Sequence, residues 1–450
     1  MKKEDKMKEQ IQLSDHFGYG RLIRFVIPSV VMMVFTSIYG VVDGIFVSNF
    51  AGTTAFAAIG IVYPLIMIFG GFGFMLGIGG NAIVGKTLGE GNGKKANEYF
   101  SFIVIVTAIT GIILAILGIS LAEPIVRLLG GEGEMLTLGT KYLRIVLAAT
   151  PFFMLQNGFQ NFFVTAERPK LGLYVTVAAG VTNIILDALF VAVFDWKIEG
   201  AALATAVSQT VGGLMPVFYF LRKNGSLLRF YRTRAYWRVL FSACYNGSSE
   251  LLSNISASIV TICFNNRLLF HAGEDGVTAY GVIMCASFIF VSIFIGFVIG
   301  SSPIISFHYG AGNTSELKNI RKKSLVIVFS VGVVMLVIAA LTCDPICRLF
   351  VRDGGSLLEM TRFGFLVNAL SFLIAGFNIF GSSFFTALNN GGVSAVISFL
   401  RTLVFQVGSV FLLSWLFGLD GVWYSLIVSE LLAAVVTAIF LLTKKKRYNY

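Results

Sequence analysis

Long apolar runs separated by short polar breaks organise this chain from end to end. Twelve of them stand at roughly 22–50, 54–80, 100–122, 138–163, 171–194, 200–222, 239–269, 277–303, 324–343, 359–386, 393–417 and 421–443. A helix needs ~20 apolar residues to cross the hydrocarbon layer, and each run comes close to or exceeds that length. The runs are continuous, unlike the alternating strands of a barrel. The pattern predicts an all-α membrane protein of twelve transmembrane helices. The longest breaks, 85–98, 222–238 and 309–323, leave no room for a soluble domain.

The pattern repeats. A shift of 221 residues carries Ala51-Gly52 onto Ala272-Gly273, and Gly89-x-Gly91-Asn92 onto Gly310-x-Gly312-Asn313. The same shift carries Glu123-Pro124 onto Asp344-Pro345, Asn157-x-Phe159 onto Asn378-x-Phe380, and Glu199-Gly200 onto Asp420-Gly421. One register held over so many loops and helices indicates duplication. The expected domains are a six-helix lobe at 1–222, a linker at 223–238 and a second six-helix lobe at 239–450. Six helices per half is an even number, so the halves enter the bilayer in the same orientation, as parallel repeats around a central path.

Charge fixes the expected orientation. Lys and Arg gather in alternate connections, among them Lys2, Lys3, Lys6, Lys8, Lys94, Lys95, Arg168, Lys170, Arg232, Arg234, Lys322, Lys323 and 444–447, with Arg127, Lys141, Lys197, Arg267, Arg348 and Arg352 thinly spread on the other side. This asymmetry places both termini in the cytoplasm of a multi-pass plasma-membrane protein. Charged residues make up only 13% of the chain, 56% are hydrophobic, and mean hydropathy is +0.83. The net charge of +11 is dispersed between spans rather than gathered in one domain, so nucleic acid is not an expected partner; the bilayer is. The five cysteines lack metal-ligand spacing and read as packing residues.

With Pro28 and Val42-Asp43-Gly44-Ile45-Phe46 in helix 1, Gly89-Glu90-Gly91-Asn92 after helix 2, Asn183-x-x-x-Asp187 in helix 5 and Glu199-Gly200-Ala201-Ala202 opening helix 6, the chain resembles the multidrug and toxic compound extrusion (MATE) family. The likeness is nearest to its bacterial DinF-type and MepA-like multidrug exporters. It implies an antiporter, not an enzyme, that exports drugs or organic cations in exchange for H⁺ or Na⁺. No cofactor beyond that coupling ion is expected, and a monomer is.

Ionisable side chains inside the spans are the candidates for coupling, because burying them costs at least ~2.5–3.5 kcal/mol each. Asp43 lies 19 residues past Arg24, and Asp187 lies 17 past Lys170, heights of ~28 and ~25 Å on two rising helices. Asn183 shares a face with Asp187. Thr205 lies ~9 Å below the outer end of helix 6. Four polar groups thus reach nearly one depth, and the resemblance implies that the matching positions form the family's ion site. Two carboxylates in low dielectric resist holding two charges, so the pair keeps a proton or takes Na⁺, whose preferred ligands are such oxygens. The 221-residue shift turns Asp43 into Phe264 and Asp187 into Gly408, so only one lobe would carry the site. A purely structural pair capped by Asn and Thr is the alternative.

Glu250 stands ~18 Å above Arg238, near mid-bilayer. It is the expected cavity acid for cationic substrates, with a helix-kink role beside Ser248 and Ser249 as the alternative. Gln156, Asn157 and Gln160 on helix 4 suit a cavity wall or interhelical packing equally. Tyr39 is a candidate neighbour of the ion site and cavity, whereas Tyr142 reads as an interface tyrosine. Pro28 breaks one backbone bond and is a hinge in the resemblance, or else a static kink. A lipid-linked precursor flippase would need a cationic cavity; Arg401 is the one cue, and it lies near enough to the helix start to snorkel to the cytoplasm. A membrane enzyme is disfavoured because His16, His271 and His308 stand apart from nucleophile patterns and no P-loop occurs.

Overall fold

The computed structural model describes residues 11–351 and 355–450; Lys2, Lys3, Lys6, Lys8 and Arg352 of the charge pattern lie outside them. The described residues form helices and turns without a strand. In chain order the spans are α1 (Tyr19–Phe46), α2 (Thr53–Gly89), α3 (Gly93–Ser120), α4 (Gly133–Ala148 and Thr150–Thr165), α5 (Pro169–Asp187) and α6 (Lys197–Leu221). The unbroken run Trp237–Gly310 contains α7 and α8, divided at Gly273. Then follow α9 (Thr314–Phe350) and α10 (Ser356–Ala387). Last, α11 opens at Gly391–Phe399 and meets α12 at Gly418, inside Gln406–Thr443. Divided at Gly273 and Gly418, and with the bent pair of α4 taken as one, the described residues form twelve spans, and residues 222–236, between the two sets of six, are not helical.

The backbone repeats as the residues do. Gly52 (φ 95°) matches Gly273 (φ 64°), Gly91 (79°) matches Gly312 (67°), and Lys197 (49°) matches Gly418 (61°), each 221 residues apart. Chain reversals in the left-handed region therefore recur at equivalent corners, where glycine carries no Cβ penalty. After Gly91 and Gly312, the Asn92 side chain accepts the Lys95 N–H at 3.2 Å and the Asn313 side chain accepts the Glu316 N–H at 3.1 Å. Each Asn thereby caps the helix that follows. A 55° bend divides α4 where Pro151 enters; the Phe152 and Phe153 N–H groups both fall back on the Ala149 carbonyl.

The lobes meet through α2 against α7 and α8, and through α1 against α8. A methyl built on Gly79 would stand 2.0 Å from the Ala243 carbonyl oxygen, and one on Gly247 2.0 Å from that of Met75. The first glycines of the two repeated corner motifs face one another's helices: a methyl on Gly89 would stand 2.0 Å from the Phe307 oxygen and one on Gly310 2.0 Å from the Lys86 oxygen. These approaches lie in the half of the bundle nearer the termini, whereas a methyl on Gly40 or Gly60, in the far half of α1 and α2, would meet nothing within 4 Å. The lobes are clamped at the terminal face.

A strap formed by residues 11–18 reinforces that clamp. Leu13 and Phe17 are fully buried. The Leu13 N–H donates to Glu167 Oε1 at 2.6 Å, on the first lobe, and the Phe17 N–H donates to Glu316 Oε1 at 2.9 Å, on the second. His16 pairs with Glu316 at 2.7 Å, while Asn319 and Lys323 both donate to the Phe17 carbonyl.

Candidate functional site

Asp43 sits in the last turn of α1 and Asp187 ends the α-helical part of α5. After three intervening residues beyond Asp43, and directly after Asp187, the helix widens into a π-helix, Val47–Ala51 in one case and Ala188–Val193 in the other, and these two segments touch each other. Such widened turns are uncommon and concentrate at functional sites because they re-aim side chains and loosen the backbone ladder. Here they bring the two carboxyl groups within hydrogen-bonding reach of one another.

Among the described residues no positive charge acts on either carboxyl. Asp187 is 0% exposed and Asn183 2%, with Asn183 one turn behind Asp187 on the same face. Both Asp187 carboxylate oxygens, Asp43 Oδ1 and Thr205 Oγ1 are buried without a hydrogen-bond partner among the described residues. Three tyrosines instead stand around the acids: the Asp43 charge reaches Tyr39, Tyr63 and Tyr142, and the Tyr142 hydroxyl lies beside Thr205. Tyr142 is 5% exposed, so it belongs to this site and not to a lipid interface as its position suggests. Two like charges this close repel each other strongly, before desolvation is counted. The chemistry suits a bound cation: either a proton shared by the carboxyls or a Na⁺ held by oxygens of Asp43, Asn183, Asp187 and Thr205. Among the described residues no cluster of three His, Cys, Asp or Glu side chains offers a heavier metal a site.

The structure separates the remaining candidates. Gln156, Asn157 and Gln160 are 4–6% exposed. Gln156 fills the space above Gly212 of α6, and Asn157 reaches the Gly70 carbonyl of α2 at 3.5 Å. Gln156 and Asn157 thus pack between helices of the first lobe, and Gln160 is buried with its Oε1 unpartnered among the described residues. Tyr39 lies with Phe35 against Gly180 of α5. Pro28 is buried in an otherwise continuous α1, and its neighbours Ser29 and Val30 press on Gly296 of α8.

The second lobe holds a group the spacing argument passed over. Glu430, in mid-span of α12, is 5% exposed and grips Arg401 of α11: Nε meets both carboxylate oxygens at 2.9 and 3.0 Å, and Nη2 meets Oε1 at 2.7 Å. Asn378 of α10 adds its amide to Glu430 Oε2 at 2.7 Å. Arg401 thus turns inward instead of snorkelling to the surface, because a buried carboxylate satisfies it better than a distant headgroup. It lies in the third π-helix, Leu400–Phe405. The signal was legible: Glu430 is the one charged residue between positions 421 and 443. In the first lobe the equivalent positions are Gly180 and Gln209, and a side chain on Gly180 would run into the Phe35 and Tyr39 rings. Glu250, on α7, is half-buried, receives no hydrogen bond on its carboxylate among the described residues, and lies within electrostatic reach of Arg401.

A family model described as MatE matches residues 28–189 and 250–412, one stretch in each lobe. The chain belongs to the MatE family. Membership puts it among transporters, and the twofold match follows the duplication. Relatives include the multidrug export protein MepA of Staphylococcus saprophyticus, 26% identical over 431 residues, which cover 95% of this chain and 94% of the relative. The protein of the same name from Staphylococcus aureus strain MRSA252 is 25% identical, again over 95% and 94%. Two solved structures share the MatE fold: one of a MATE protein in the straight conformation, and one of a multidrug resistance MATE family transporter of the MOP superfamily in an outward-facing conformation. Each has a TM-score of 0.91 at 21% identity, covering 98% of this chain and 99% of the other.

Proposed function

We propose that this MatE-family chain is a multidrug efflux transporter of the bacterial plasma membrane, an antiporter exchanging small organic molecules, chiefly cations, for H⁺ or Na⁺. Both termini face the cytoplasm, so the clamped terminal face closes the inner side and the path between the lobes opens outward. The observation that carries the reading is the pair of adjoining carboxyls, Asp43 and Asp187, without a counter-charge. An incoming cation neutralises them; its departure leaves a repelling pair that favours another arrangement of α1 and α5. Pro28 supplies the compliance, since its ring removes the bond that the Arg24 carbonyl would accept. Binding energies are reciprocal, so an ion that weakens drug binding is itself expelled by the drug with the same coupling. The exchange proceeds by rocking the lobes about their shared contact, and one monomer suffices because the path lies within a single chain.

The flippase reading loses its cue, because the Arg401 charge is already neutralised by Glu430 and an anionic cargo finds no free cation there. The test is drug transport in proteoliposomes with Na⁺ and pH gradients imposed separately. Either gradient should drive uptake in wild type, and Asp43→Asn or Asp187→Asn should abolish the gradient dependence. Unchanged gradient-driven transport by well-folded variants would remove these acids from coupling.

A further inference from the structure

The second lobe sets one buried cation, Arg401, within electrostatic reach of two acids and commits it to one of them. Arg401 is held by Glu430 through three contacts of 2.7–3.0 Å, and Asn378 braces Glu430 from the side with bonds of 2.7 and 2.9 Å to its carboxylate and carbonyl. Glu430 is 5% exposed, and the Arg401 side chain 18%. Glu250, on the adjoining α7, is left with no hydrogen bond to its carboxylate among the described residues, although Arg401 is near enough to act on it. The π-helix Leu400–Phe405 that carries Arg401 packs directly on the run containing α7. A bidentate, braced partner outcompetes a single accessible carboxylate for a guanidinium.

We propose that Glu430 is a specificity-determining positioning residue: by holding Arg401 against α10 and α12, it keeps the guanidinium from neutralising Glu250, so that a substrate meets Glu250 as an uncompensated negative charge. With Glu250 ionised, the formal charges of Glu250, Arg401 and Glu430 sum to −1, and a cation is preferred to a neutral molecule of like shape. Glu430 itself touches no substrate. Its action passes through Arg401, and removing it converts the wall from a free acid into an acid already paired. The inference rests on the export reading and names the second lobe as the origin of its charge preference.

The experiment compares a permanently cationic aromatic dye with a neutral dye of similar size, in binding and in proteoliposome transport. For Glu430→Gln the affinity for the cationic dye should fall by about tenfold or more, the neutralisation of one partly desolvated charge pair, with the neutral dye changed less than about twofold. In Glu430→Gln/Arg401→Gln the competing guanidinium is gone, and cationic-dye affinity should return to within about threefold of wild type. A merely structural role for Glu430 predicts equal loss for both dyes and no rescue, and that result overturns the proposal. If the single variant fails to fold, the charge-swapped Glu430→Arg/Arg401→Glu pair decides: retained cation preference supports the proposal, and its loss in a folded swap overturns it. A wild-type protein that moves neither dye would refute the export reading instead. A wild-type protein that moves both, with variants of unaltered preference, refutes this inference alone.

Discussion

A carboxylate that is 0% exposed, with no donor at either oxygen among the described residues, is costly for as long as it stays ionised. Asp187 therefore works against the resting fold. Asp187→Asn should raise thermal stability by about 1–3 kcal/mol, the relief of an unsatisfied buried group, while gradient-driven export falls at least tenfold. Thermal unfolding in detergent beside an efflux assay checks both signs. At Asn378 the direction reverses. Asn378→Ala strips a donor from a buried carboxylate and should lower stability by about 1–3 kcal/mol, read in the same unfolding assay. These sites differed in legibility for a physical reason. Asp43, Asp187 and Glu250 stand out because charge is rare in apolar runs; Glu430 stood out equally but has no matching acid to suggest a pair. Tyr63 and Tyr142 leave no trace in the pattern, since a tyrosine fits a span whether it meets lipid or a carboxylate.

The helices themselves were largely written in the hydropathy, and their ends were not. The polar stretch 85–98 suggested a long break, yet α2 continues to Gly89 and α3 begins at Gly93, because Lys86 and Lys94 can extend from a helix end without interrupting its backbone bonds. The three π segments were invisible, as neither Pro nor Gly marks them internally. They nonetheless set the aim of the chemistry beside Asp43, beside Asp187 and at Arg401. Removing one residue from Ala188–Val193 would return α5 to regular winding and re-aim the side chains within that segment relative to Asp187. Deletion of Leu189 should leave helical content by circular dichroism unchanged and reduce gradient-driven export to background. Retained export would mean that the widened turn is incidental.

Across the whole molecule, two copies of one six-helix plan have been put to unequal use. Backbone corners persist at a constant spacing of 221 residues, whereas the adjoining acids occur in the first lobe and the Arg401–Glu430 pair in the second. Where the copies meet, the close approach of Gly89 and Gly310 leaves no space for a side chain. Gly310→Val should force the terminal face apart and expose Asn246, introduced as a lone cysteine in a cysteine-free background, to a water-soluble thiol reagent from that side; unchanged labelling would contradict the clamp. The strap acts at the same place by a softer means. Phe17→Ala together with Glu316→Gln removes its plug and its anchor, and should increase the same labelling severalfold.

Because one of the strap's moorings belongs to the first lobe, the other belongs to the second, and the segment runs straight on into α1, the beginning of the chain behaves as a brake line. Cargo fused ahead of residue 11, or a binder that seizes it, would tug on the seam between the lobes. Under the proposed exchange cycle, turnover is then adjustable from this one thread, whose moorings are Glu167 and Glu316 rather than Asp43 or Asp187.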